Sequence, residues 1–132
     1  MLAQSFDELK LQLERAAAET DTPARSLRAS LAAYLRFGQA HPQRYAAMFS
    51  ANGYGPHAIA ALELLQTTLQ SAVAAGESDS EDVRGDSWML WAALHGMTTL
   101  QPPADPSQRR LHWLDRPAMF ETMVRRLARL TD

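Results

Sequence analysis

The chain has 132 residues, 46% of them hydrophobic and 21% charged, which is enough for one folded domain with a real core. A net charge of −2 argues against a free-standing nucleic-acid binder, and the absence of cysteine excludes disulfides and thiol chemistry, leaving a reducing cytoplasm as the expected compartment. No apolar run approaches the ~20 residues of a membrane span, and Met1 to Arg15 lacks the basic-then-apolar order of a signal peptide.

Helical spacing runs through the whole chain. Ser5, with Glu8 three residues later, has the form of a capping box and is expected to open the first helix, whose stripe is Phe6, Leu9, Leu13 and Ala16. Thr22-Pro23 opens a second, since a proline at the first helical position forfeits no hydrogen bond; its stripe is Leu27, Leu31, Tyr34 and Leu35. His41-Pro42 ends that helix and starts a short third carrying Tyr45, Met48 and Phe49, before a break at Asn52-Gly53-Tyr54-Gly55. Pro56 opens a long fourth helix with Leu62, Leu65, Leu69, Ala72 and Val73 inward, Glu63, Gln66, Thr67 and Gln70 outward, and a stop at Gly76.

Glu81, Asp82 and Asp86 suit the first turns of a fifth helix, where the macrodipole favours negative charge. That helix is expected to reach Pro102-Pro103. A loop of roughly a dozen residues follows, long for a helical domain. The sixth helix begins near Asp115-Pro117 and shows Phe120, Met123, Val124, Leu127 and Leu130 on one side. Nothing alternates with period two for long enough to form a sheet. The expected fold is one all-α bundle of about six helices over residues 1–132.

The fifth helix is unusual because Trp88 to Leu100 is apolar nearly all round and must be covered on more than one side. At about 100° per residue it divides into two arcs. One holds Trp88, Trp91, Ala92, His95, Thr98 and Thr99; the other holds Met89, Ala93, Gly96, Met97 and Leu100. Gly96 costs up to ~1 kcal/mol against alanine inside a helix, which close approach of another helix would offset. The amphipathic last helix, from this chain and from a second copy, is the expected neighbour.

Trp91-Ala-Ala-Leu-His95-Gly96-Met-Thr-Thr-Leu100 resembles the Trp…His-Gly signature of the WHG-type C-terminal domain of TetR-family transcriptional regulators. Upstream, the segment from Tyr34 to Phe49 is similar to the family's helix, helix-breaking proline, tyrosine and Met-Phe pair. The resemblance implies an effector-binding and homodimerisation domain of a repressor, whose last two helices pair with their symmetry mates as a four-helix bundle. It implies a pocket between the third, fourth and fifth helices for a small apolar or aromatic effector, lined by Tyr45, Met48, Phe49, Leu62, Leu65, Trp88, Trp91 and His95. The dimer interface is expected to use Met89, Ala93, Gly96, Met97, Phe120, Met123 and Leu127. In such regulators a helix-turn-helix of about fifty residues reads DNA. Only four residues precede Ser5 here, so DNA would be contacted only through a head that this chain does not carry, whether the chain is a piece of a regulator or the head was lost.

Other chemistry has less support. His41, His57, His95 and His112 show no paired spacing, so neither a metal nor a cofactor is expected. Gly85-Asp86-Ser87 sits in an early helical turn, the wrong place for a lipolytic nucleophile. The arginines at 109, 110, 125, 126 and 129 are expected to be solvated faces. Two alternatives remain: a helical protein-interaction module without a ligand, and a small all-α enzyme using His95 as a base beside Asp86 or Glu63. Twelve of the thirteen basic residues are arginine and alanine is abundant, the usage expected of a GC-rich bacterial source.

Overall fold

The computed structural model describes residues 2–49, 56–100 and 116–132, and these form six helices without a strand. They are α1 (Leu2–Ala18), α2 (Pro23–Ala40), α3 (Pro42–Met48), α4 (Pro56–Ala74), α5 (Val83–Thr99) and α6 (Arg116–Leu127). The segment Asn52 to Gly55, the prolines at 102 and 103, and Arg109-Arg110 lie outside the described residues. No described helix is long and apolar enough to cross a membrane.

Most helix ends follow local chemistry. The Thr22 side chain accepts from the Arg25 N–H at 3.2 Å, and Pro23 occupies the first turn. The His41 N–H donates to the Phe37 carbonyl and closes α2 just before Pro42. Past α4, Gly76 takes a φ of +76°, while its N–H donates to Val73 and that of Glu77 to Ala72, a Schellman closure. Asp82 caps α5 by accepting from the Gly85 N–H at 3.0 Å.

Three expected boundaries move. One is the end of α6, which stops at Leu127 and leaves Leu130 in a bridge with Ser78 instead of on the helix stripe. The first helix starts at Leu2, not Ser5, because Ser5 and Glu8 serve a tertiary contact instead of a cap. Ser5 is buried and accepts from the Arg44 guanidinium at 3.3 Å, and Glu8 accepts from the same group at 2.5 Å, tying α1 to α3. The fifth helix ends at Thr99, short of the prolines, with the Leu100 N–H on the Gly96 carbonyl.

The middle of the bundle belongs to α2, which packs against α1, α3, α4 and α5. It buries Ala24, Leu27, Ser30, Leu31, Ala33, Tyr34, Phe37 and Gly38. Close helix approach occurs at Gly38: a Cβ there would lie 2.0 Å from Thr98 Cγ2 and 3.3 Å from the Tyr45 ring. Gly96, the glycine expected to meet the last helix, has nothing within 4 Å of its Cβ position among the described residues. The last helix packs on α5 and is anchored to α2 by Arg28, which pairs with Glu121 at 2.8 Å and Asp132 at 2.7 Å.

Candidate functional site

The fifth helix buries Ser87, Leu90, Trp91, Leu94 and Thr98. Leu90 and Leu94, which belong to neither expected arc, are fully buried. The core therefore takes the seam between the arcs, and most of both arcs flank it. Trp88 is 43% exposed and Met89 50% exposed, on opposite sides of that seam. From the aromatic arc only Trp91 and Thr98 are buried, with His95 half-buried.

Burial of Tyr34 and Trp91 obliges their polar ends to find partners. The Trp91 Nε1–H donates to Tyr34 Oη at 3.2 Å, Tyr34 Oη lies 2.7 Å from Tyr45 Oη, and Tyr45 Oη lies 2.6 Å from His95 Nδ1. An indole N–H can only donate. The arrangement that satisfies every donor runs one way, Trp91 to Tyr34 to Tyr45 to His95, and requires Nδ1 to be unprotonated. Burial lowers the His95 pKa, which favours that neutral form. Burial also raises the Tyr34 hydroxyl to about 12 and pushes Tyr45 well above its ordinary value, so the chain is uncharged throughout. Phe49, the C-cap of α3, closes it, with its ring centroid 5.0 Å from His95, 4.8 Å from Tyr45 and 6.0 Å from Trp91.

Beside this chain lies a cavity of about 20 Å³, lined by Leu13 of α1, Ser30 and Tyr34 of α2, Leu65 and Thr68 of α4, and Trp91 of α5 among others. That is room for one water, far below the ~150 Å³ that accepts benzene. This small cavity lies between α1, α2, α4 and α5, while α3 contributes Tyr45 to the polar chain beside it. Of the expected effector residues, Tyr45, Phe49, Trp91 and His95 come together, and Leu65 joins Trp91 at the cavity. Met48 and Leu62 are buried in the core, and Trp88 stands outside, its ring edge-on to Trp91 at 5.3 Å.

Of the expected interface residues, Met89 is exposed, while Ala93, Gly96 and Met97 are part-buried; Phe120, Met123 and Leu127 are part-buried against the core. Tyr34, Ser30 and Thr68 were not anticipated as site residues. For Tyr34 alone, a hydroxyl within an apolar stripe is the available signal. His95 does not pair with either proposed catalytic partner: Asp86 accepts from the Ser80 hydroxyl at 2.5 Å, and Glu63 is exposed.

The family model for the Tetracyclin repressor-like, C-terminal domain matches residues 27–127. The chain belongs to this family. No curated protein and no solved structure matches the chain. Tetracyclin repressor-like C-terminal domains are regulatory and non-enzymatic. The matched span holds every expected effector and interface residue, whereas Leu13 in the cavity wall lies before it. Among the described residues no group of three or more His, Asp or Glu could hold a metal ion.

Proposed function

We propose that this Tetracyclin repressor-like domain binds a small, largely apolar or aromatic effector, pairs with a second copy of itself, and passes effector occupancy to a DNA-reading helix-turn-helix outside this chain, as a repressor. One observation carries the reading: α5 holds the cavity wall on its inner stripe, through Trp91 and Leu94, and carries an exposed apolar residue, Met89, on its outer side. An effector larger than water must displace that wall. Because α5 is one rigid helix, displacement of Trp91 also displaces the face given to the second copy. Contacts of the effector with Tyr45, Phe49, Leu65, Trp91 and His95 would compete with the Trp91-to-His95 hydrogen-bond chain and release α5 from α2 and α3.

Apolar contact supplies the affinity and the polar chain the orientation, the usual division of labour in a small-molecule pocket. Pairing through Met89, Ala93, Gly96, Met97, Phe120, Met123 and Leu127 would cover the apolar surplus of α5. Calorimetric titration with indole and naphthalene, together with sedimentation, tests both parts. Saturable heat, a melting temperature that rises with ligand concentration, and a dimer at micromolar protein are expected. A monomer that binds neither compound overturns the reading.

A further inference from the structure

A groove of about 320 Å³ opens between the α1–α2 turn and α4, lined by Ala17, Asp21, Pro23 and six hydroxyl residues. It lies end to end with the smaller cavity beside Trp91. Thr68 lines both, and the other walls step by one helical turn, from Ala17 to Leu13 on α1 and from Ser26 to Ser30 on α2. The seam between α1, α2 and α4 is thus wide at the surface and narrow beneath Thr68.

Hydrogen bonding gives the groove a definite polarity. Thr67 donates to the Glu63 carbonyl at 2.9 Å, Thr68 to Leu64 at 2.9 Å and Ser71 to Thr67 at 3.1 Å. Thr20 and Ser26 hydrogen bond each other and the Ala17 carbonyl. Their protons face the backbone or each other, which leaves oxygen lone pairs toward the groove. Among the described groove residues only the Thr22 hydroxyl keeps a proton, since it acts as acceptor for Arg25. The N-terminal N–H groups of α2 are also engaged, Ala24 with Glu77 and Ser26 with the Thr22 carbonyl. Asp21 adds a carboxylate, paired with Arg25 at 2.8 Å. The groove accepts hydrogen bonds and has almost none to give.

We infer that this groove is the mouth of the effector cavity and that its occupant is an amphiphile, with an alcohol or amine head donating to the groove hydroxyls and an apolar tail passing Thr68 toward Trp91. This rests on the effector-sensing reading and names the class of effector. A carboxylate head is disfavoured, because it would lose its water against oxygens of which only the Thr22 hydroxyl keeps a proton to donate.

Isothermal titration of the full chain with n-octylamine, n-octanol and octanoate, one tail under three heads, tests the inference. The amine and the alcohol are expected to bind at least about tenfold tighter than octanoate. Thr68→Phe, which fills the junction, and Ser71→Trp, which covers the groove from an exposed position, should each weaken octylamine at least about tenfold while the circular dichroism is unchanged. If Thr68→Phe fails to fold, Ser71→Trp alone carries that arm. Octanoate binding as tightly as octylamine, or octylamine binding unaffected by Ser71→Trp, overturns the mouth assignment. Indole that still binds both variants while octylamine does not bind the parent chain leaves effector sensing standing and removes this route. No binding by any of the compounds removes both.

Discussion

The second and fifth helices have nearly equal lengths, 18 and 17 residues, and treat their apolar residues in opposite ways. The second carries three arginines (Arg25, Arg28, Arg36), yet it is enclosed by four neighbours and buries eight residues. The fifth is almost uncharged from Trp88 to Thr99, yet it leaves Trp88, Met89 and Ala92 in solvent. A helix takes the centre of a bundle when neighbours surround it, and its arginines can sit at the rim, as Arg28 does on Glu121 and Asp132. An apolar helix at the edge keeps apolar residues exposed, and of these Met89 lies on the face proposed to meet a second copy.

Adjacent residues of α5 should behave most differently when substituted. Leu90→Ala, in the buried seam, should cost about 2–5 kcal/mol in urea denaturation, whereas Met89→Glu should change the stability of the single subunit by less than ~0.5 kcal/mol. Met89→Glu should instead weaken pairing at least about tenfold in sedimentation, since it buries an unpaired charge in the proposed interface. Equal stability losses at the two positions would mean that the seam has been misplaced.

The two glycines give the next test. Gly38→Ala should destabilise by about 1–3 kcal/mol, because the new methyl meets Thr98 Cγ2. Gly96→Ala should gain up to ~1 kcal/mol in the monomer through helix propensity. A gain at Gly38 would move the α2–α5 crossing elsewhere.

Tyr45→Phe removes the hydroxyl that joins Tyr34 to His95 and should cost about 1–2 kcal/mol, with Trp91 fluorescence reporting the changed surroundings of Tyr34. Retained stability would show that the two helices are held by packing alone.

The smallest effect expected is on pH dependence. Burial holds the folded-state pKa of His95 below its ordinary 6.5, so above that pH neither state carries the proton and stability is flat in this group. As pH falls below 6.5 the unfolded chain takes the proton first, and stability declines toward the folded-state pKa. His95→Gln should flatten that part of the profile relative to the parent chain. An unchanged slope would exclude His95 as its source.

Much of the fold was legible because caps and breakers act over four or five residues. Thr22-Pro23, His41-Pro42, Pro56 and Gly76 all mark the ends expected of them. Ser5 and Glu8 misled for the same reason: their form is that of a cap, but Arg44, far along the chain, claims both side chains. The aromatic members of the site, Tyr45, Phe49, Trp91 and His95, were legible through pattern and family likeness. Tyr34 was visible only as a stripe residue, and Thr68 and Ser30 were not visible as site residues at all, because their importance lies in which helices meet around them.

Gly96 drew attention by lying in a conspicuous helix, whereas the glycine in close contact was Gly38, in a less conspicuous one. By itself the sequence determined that the chain is all-helical, where most helices begin and end, and which family it belongs to. Those properties rest on hydrogen bonds and periodicities confined to a few consecutive residues. Only the tertiary structure decided that α2 is central, that the seam of α5 faces inward, and that Trp91, Tyr34, Tyr45 and His95 form one chain. Its links join residues 57, 11 and 50 positions apart, and such contacts depend on how helices pack and not on what any one helix contains.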